Sequence, residues 1–274
     1  MVVLRPPASV LTGLGAHLRR LPRYTDLLLA LTVHRVKVRY KQSVLGPLWA
    51  ILQPLLLMLI FTLLYAVTSS RMATGNVPYS VFVYAGVLPW SFFSTAVTNG
   101  TNSLVGHAAL VTKVWFPREI LPMSYVTAAL FDLVVASTLL FGLMLKNHVA
   151  PTPIAVLAVP ILLVMVLLSF AVSVGLAAVQ VRFRDVGIAM PLLLQVWMFV
   201  SPVVYGYSQV PARYRWLYQL NPLSGLIDGF RRVSVVGEAP DWPLLGLSTA
   251  ITLAVLPACY LYFKYVDATI ADRM

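Results

Sequence analysis

Asp132 is where chemistry would most directly reside, because it is the single ionisable residue in the otherwise charge-free stretch 120–145. A carboxylate at bilayer depth serves either an ion relay or substrate path, or a packing contact in which hydroxyls of a neighbouring helix donate to it. No second carboxylate lies at that depth, so the paired acids of an intramembrane aspartyl protease are missing. A glycine-rich phosphate loop is excluded as well, since none of the 15 glycines is followed by lysine. The four histidines (His17, His34, His107, His148) are scattered and form no H-E-x-x-H, and the lone Cys259 allows neither an intrachain disulfide nor a cysteine cluster. No metal site is expected, and Cys259 reads as ordinary packing.

Three other groups have a chemical reading. Trp90, Phe93 and Trp197 fall near mid-span, while Tyr65 and Tyr205 lie toward the predicted outer half. Rings lining a path would stack on sugar faces, as aromatic platforms stack on bases; otherwise they are helix–helix contacts or an interfacial belt. Lys113, Val114, Trp115, Phe116, Pro117, Arg118 and Glu119 read as a helical turn ended near Pro117, with exposed Trp and Phe between charges. That composition suits a docking knob for a cytosolic partner, and equally a plain interfacial anchor. Arg35, Lys37, Arg39 and Lys41 alternate with period two, a strand pattern that would put cations on both sides of a helix. A helix on the inner surface, capped near Thr25 and Asp26, is still expected. A lone strand has no partner there, whereas Lys and Arg snorkel past headgroups.

The elements that position these residues follow from composition. Of the 274 residues 59% are hydrophobic and 11% charged, against roughly 25% charged in a soluble domain. So little polar surface cannot cover a water-facing globule, so the chain must face lipid. The charge-free intervals hold six spans of the length that crosses ~30 Å of hydrocarbon: 44–67, 79–98, 121–144, 154–180, 187–206 and 244–263. Segment 207–243 is too polar to span and is expected as a short outer-surface helix or a re-entrant hairpin shielded from lipid. Within it Gly225 and Gly229 have the small-x-x-x-small spacing of a helix contact, a weak pointer to a dimer. With both termini inside, 14 of the 20 Lys and Arg face the cytoplasm, eight of them before the first span. The net charge of +11 is therefore a topology signal and does not point to nucleic acid. The apolar patch at 8–18 lacks a cleavage pattern and is not expected to be a cleaved signal peptide.

Six islands in fixed order resemble the type 2 permease family of ABC exporters, in the branch that exports O-antigen, capsular polysaccharide and teichoic acid. They are RYKQSVLGPLW at 39–49, running to Pro54, and GVLPWSFF at 86–93; KVWFPREILP at 113–122; RFRD at 182–185; PVVY at 202–205; and the segment from Asn221 to Arg231. Together they extend the resemblance across 24–266.

The resemblance implies an all-α integral membrane protein with six transmembrane helices. An N-terminal amphipathic interface helix precedes them, and short re-entrant outer helices at 210–240 precede the last span. Its division would be a cytoplasmic segment 1–43, a transmembrane domain 44–266 and a cytoplasmic tail 267–274. It implies a homodimer in the bacterial inner membrane that binds two copies of a separate ATPase, which carries ATP and Mg; this chain has no cofactor of its own. Residues 24–41 and 104–119 would meet the ATPase, with Lys113 to Glu119 coupling. The cargo would be an undecaprenyl-pyrophosphate-linked glycan in an aromatic-lined channel, with Tyr65, Trp90, Phe93, Trp197 and Tyr205 as path residues. Arg35, Lys37, Arg39 and Lys41 would hold its head group or anionic lipid. Rival readings are a same-family exporter of drugs or lipids, a proton-coupled carrier using Asp132, and an intramembrane enzyme, for which only Asp228, Glu238 and Asp241 lie near one another.

Overall fold

The computed structural model describes residues 24–41, 43–68 and 77–273, and among these every regular element is helical. The reading of the N-terminal patch, the cations before residue 24, and Arg71 lie outside the described residues. The elements are α1 (Thr25–Tyr40), α2 (Leu48–Thr68), α3 (Tyr79–Thr101), α4 (Ala108–Lys113), α5 (Ile120–Lys146), α6 (Ala158–Arg182), α7 (Asp185–Val200), α8 (Arg215–Leu220), α9 (Pro222–Arg231) and α10 (Trp242–Arg273). Five stretches are long and apolar enough to cross a membrane: Leu48–Val67, Tyr79–Thr101, Ile120–Lys146, Pro153–Arg182 and Trp242–Asp267. The chain is a multi-pass membrane protein.

The sixth expected span, 187–206, is shorter than its sequence suggests. α7 has 16 residues, which at 1.5 Å each reach about 24 Å, less than the ~30 Å hydrocarbon core. It ends because Ser201, just before Pro202, is driven out of the helical region, with φ −107° and ψ 148°.

α3 is the central helix, packed against α2, α5, α6, α7 and α9. Small residues let its backbone approach its neighbours, which is how helices associate where lipid removes the hydrophobic drive. Ser173 of α6 sits against Gly100, and its hydroxyl donates to the Ala96 carbonyl at 3.2 Å. α9 is buried between α3, α6 and α10, with Asn221 capping it by accepting from the Leu223 N–H at 3.1 Å. Gly225 is packed on α10: its N–H donates to Ser248 Oγ at 3.2 Å, and a Cβ there would strike the Leu244 carbonyl. Gly229 likewise faces Ile161 and Leu245 of the same chain. The small-residue pair thus serves an internal contact, which corrects its reading as a pointer to a dimer.

The period-two run 35–41 enters a helix through Tyr40. α1 docks on α5 by an inward stripe of Leu27, Leu28, Leu31, Thr32, Arg35, Val36 and Tyr40 at helical spacing. The helix starts at Thr25 with Asp26 in its first turn, but its N-cap position is Tyr24 and makes no side-chain cap.

Candidate functional site

Between α1, α2, α3 and α5 lies a cavity of about 820 Å³, within the range of small-molecule sites. One wall is a polar stripe on α3, Ser91, Ser94, Thr95, Thr98 and Asn99, whose three- and four-residue spacing keeps it on one helix face. Trp49 and Trp90 add two indoles, Gln53 an amide, and Arg39 and Asp132 the charged groups. Hydroxyls, an amide, a guanidinium and flat rings together suit a ligand bearing hydroxyls or phosphate.

Asp132 lies at the edge of this cavity as half of an ion pair. Arg39 Nη1 donates to its Oδ2, and the Tyr40 hydroxyl donates to Oδ1 at 2.6 Å. Burial, then the neighbouring carboxylate, pushes Tyr40 up to about 12, so it remains a donor at neutral pH. The partners of Asp132 come from the interface helix, and one is a cation. The structure thus pairs the carboxylate with charge as well as with a hydroxyl.

The expected head-group set does not form one surface. A two-residue step turns 200° on a helix, so the cations divide between faces. Arg35 faces inward and is buried: its Nε donates to Ser124 Oγ at 2.6 Å, and its guanidinium lies 3.5 Å from the Tyr125 ring centroid. His107 Nε2 lies 3.4 Å from Arg35 Nη1, and its Nδ1 is 3.0 Å from the Ser103 carbonyl. That arrangement fits neutral His107 donating through Nδ1; burial and then the Arg35 charge lower its pKa. Arg39 lines the cavity and, like Lys37 and Lys41, is exposed.

The segment expected to couple to a partner has an exposed tip and an ionic root. Lys113, Val114 and Trp115 are exposed, Trp115 to 80%, but Phe116 is only 8% exposed, correcting the expectation that both rings are bare. Its ring joins an apolar cluster with Leu104, Val111, Leu121, Val174 and Phe263. After Pro117, Arg118 Nη1 donates to the backbone carbonyl of Asp267 at 2.6 Å and to its Oδ1 at 3.1 Å. Glu119 is 1% exposed and accepts from Lys264 Nζ at 2.9 Å and from the Tyr260 hydroxyl at 3.2 Å.

Of the five candidate path aromatics, Trp90, Phe93 and Trp197 form one chain of ring contacts, with Trp90 6.0 Å from Phe93, and Tyr65 and Tyr205 lie in other pairs. Trp90 lines the cavity. Phe93 is fully buried, edge-on to Trp197 at 5.4 Å, and Trp197 Nε1 donates to Asn221 Oδ1 at 3.1 Å, so both pack helices. Tyr65 stacks on Tyr79 at 4.0 Å, and Tyr205 shares a 2.7 Å hydroxyl contact with Tyr218.

One residue of segment 207–243 to which the sequence assigned no chemistry is central. Arg231 is 1% exposed and donates to the carbonyls of Tyr205 (2.8 Å), Pro202 (2.6 Å) and Val203 (2.6 Å), with its guanidinium 4.2 Å from the Phe82 ring centroid. Burial lowers its pKa, opposed by Asp228. Gly86 makes room: a Cβ there would overlap both the Val203 carbonyl and the Arg231 guanidinium. The available signal was a glycine within a span and a proline stopping the next-but-two span.

The chain matches the ABC-2 type transporter family over residues 26–234. It is 33% identical over 249 residues to the O-antigen export system permease protein RfbA of Myxococcus xanthus, covering 90% of this chain and 94% of that relative. It is 28% identical over 213 residues to the O-antigen export system permease protein RfbA of Klebsiella pneumoniae, covering 77% and 81%. To the polysialic acid transport protein KpsM of Escherichia coli it is 24% identical over 240 residues, covering 84% and 91%. With apolar helices of spanning length beneath a match that runs through most of them, the chain belongs to the ABC-2 type transporter family and is a transport subunit rather than an enzyme.

Proposed function

We propose that this chain is the permease of an ATP-driven exporter that carries a lipid-linked surface polysaccharide across the bacterial inner membrane. The observation that supports it best is similarity along nearly the whole length of an O-antigen export permease. In this reading residues 44–266 form the transmembrane unit, both termini are cytoplasmic, and two copies assemble with two copies of an ATPase. ATP and Mg belong to that partner, because this chain lacks a glycine–lysine phosphate loop. Closure of the ATPases pushes on Trp115, and the Arg118–Asp267 and Glu119–Lys264 pairs pass the displacement to α10. The cavity beside α3 receives the carrier head group and first sugars, with Arg39 offered to phosphate and Trp90 to a sugar face.

Deleting the gene should leave polymer on its lipid carrier inside the cell. Wild-type copies should restore surface polysaccharide only when the partner ATPase can hydrolyse ATP. Restored export with an inactive ATPase would overturn the reading. An unchanged surface polymer in the deletion strain would redirect it to drug or lipid efflux.

A further inference from the structure

A second pocket, of about 390 Å³, lies beside the first turns of α3, where Phe82 meets the segment between α7 and α10. Phe82 and Ser91 are nine residues apart, so this pocket lies about 14 Å along α3 from the first polar residue of the inner cavity. The Arg231–Gly86 contact falls between the two levels.

The lining is densely charged and balanced. Arg215, Arg231 and Arg232 face the same space as Asp228, Glu238 and Asp241. Each makes at least one bond that fixes it. Arg215 donates from Nε to the Val210 carbonyl at 3.0 Å, and Arg232 pairs with Glu238 at 3.0 Å. Asp228 accepts from the Tyr207 N–H at 3.2 Å, and Asp241 accepts from the Leu244 N–H at 3.2 Å. Donors and acceptors are thus interleaved and held in place, and Tyr207 and Ser208 add hydroxyls at the opening. The rim is a π-helical turn, Arg232–Val236, closed by Gly237 at φ 78°; such turns recur at functional sites. Gly237 and Glu238 both donate their N–H to the Arg232 carbonyl, at 2.8 and 3.1 Å.

We infer that this pocket binds one uncharged, hydroxyl-rich sugar residue of the exported polymer, an inference that rests on the polysaccharide reading. The three guanidiniums and three carboxylates cancel in formal charge, so the lining has no net attraction for a phosphate or a cation. Among the described residues no group of three acid, His or Cys side chains is arranged to hold a metal ion. A sugar ring instead presents several hydroxyls, each donor and acceptor at once, and alternating fixed donors and acceptors satisfy them without net charge. Placed at the far end of α3 from the Trp115 loop, the pocket offers the advancing chain a hold beyond the inner cavity.

The test uses the permease–ATPase complex in lipid nanodiscs. The probe is the lipid-free oligosaccharide released by mild acid from the same cell's surface polymer, with binding read by calorimetry. R232Q/E238Q removes an ion pair without changing net charge, and S208W fills the opening from an exposed position; each is compared with wild type at equal melting temperature. Wild type should bind, and both variants should bind at least about tenfold more weakly, a change of about 1.4 kcal/mol. Absence of binding by wild type, equal binding by both variants, or competition by inorganic phosphate would overturn the inference. ATP-driven export is followed in the same preparations: export without pocket binding removes only the pocket, whereas no export of polymer by wild type removes the transport reading beneath it.

Discussion

At the scale of single residues, Asp132 decides between two sources of energy. Its side chain is 15% exposed and that of its partner Arg39 32% exposed, with the Tyr40 hydroxyl as a second donor. Breaking a fully buried pair costs ~3–5 kcal/mol, but water reaches Arg39, so Asp132→Asn should cost nearer ~1–2 kcal/mol of stability. The amide still accepts from Tyr40. A carrier driven by ATP should therefore still export with this variant, at whatever rate the altered Arg39 contact leaves, whereas a proton-coupled carrier would stop. Vesicle transport at fixed ATP, with and without a proton gradient, makes the distinction, and gradient-dependent export abolished by the variant would reinstate the relay. Asp132 was legible because a lone charge in an apolar run is conspicuous in any sequence. Arg231 was not, because its site is assembled from afar. Gly86 makes room for it, and the carbonyls it binds lie free because Pro202 ends α7.

At the scale of elements, the expected pattern and the structure disagreed at three places, each for a physical reason. The period-two cations of α1 form a helix because α5 offers polar partners to its inward face: Thr32 meets Thr127 at 2.7 Å, Arg35 meets Ser124 and Arg39 meets Asp132. α7 stops early because hydropathy is blind to the conformational restriction before proline. Phe116 is buried because it joins an apolar cluster that includes Val174 and Phe263, remote in sequence. The root of its loop yields a prediction at this scale. Glu119 is held by Lys264 and Tyr260 of α10, so the loop cannot shift without drawing on the C-terminal end of that helix. Glu119→Gln leaves Lys264 without its closest carboxylate, although Asp267 remains at 3.6 Å; the loss should be about 1–3 kcal/mol for a buried charge-assisted contact. ATP hydrolysis should then continue while polymer export falls. Glu119→Lys combined with Lys264→Glu should recover export better than either single change. Equal defects in hydrolysis and export, with no recovery in the double variant, would mean that the pairs only support the fold.

At the scale of the whole molecule, energy enters from outside and the chain must provide a handle for it. Trp115 is the most conspicuous apolar handle: 80% exposed, preceded by exposed Lys113 and Val114, and followed by residues rooted in α10. An exposed indole adds little to the fold of its own chain, but a buried aromatic anchor dominates an interface. Trp115→Ala should therefore leave the melting temperature of the isolated permease within error, because no packing is lost. Recovery of the ATPase with the permease should drop, by about 2 kcal/mol of binding or some thirtyfold in affinity if Trp115 is the anchor. Export should fall with it, and the surplus ATPase should hydrolyse without transport. Copurification of the two subunits from membranes over a range of detergent, beside thermal melts of the permease alone, separates the cases. A lowered melting temperature with intact copurification would make Trp115 a membrane-surface anchor and move the energy-transmitting contact to α1.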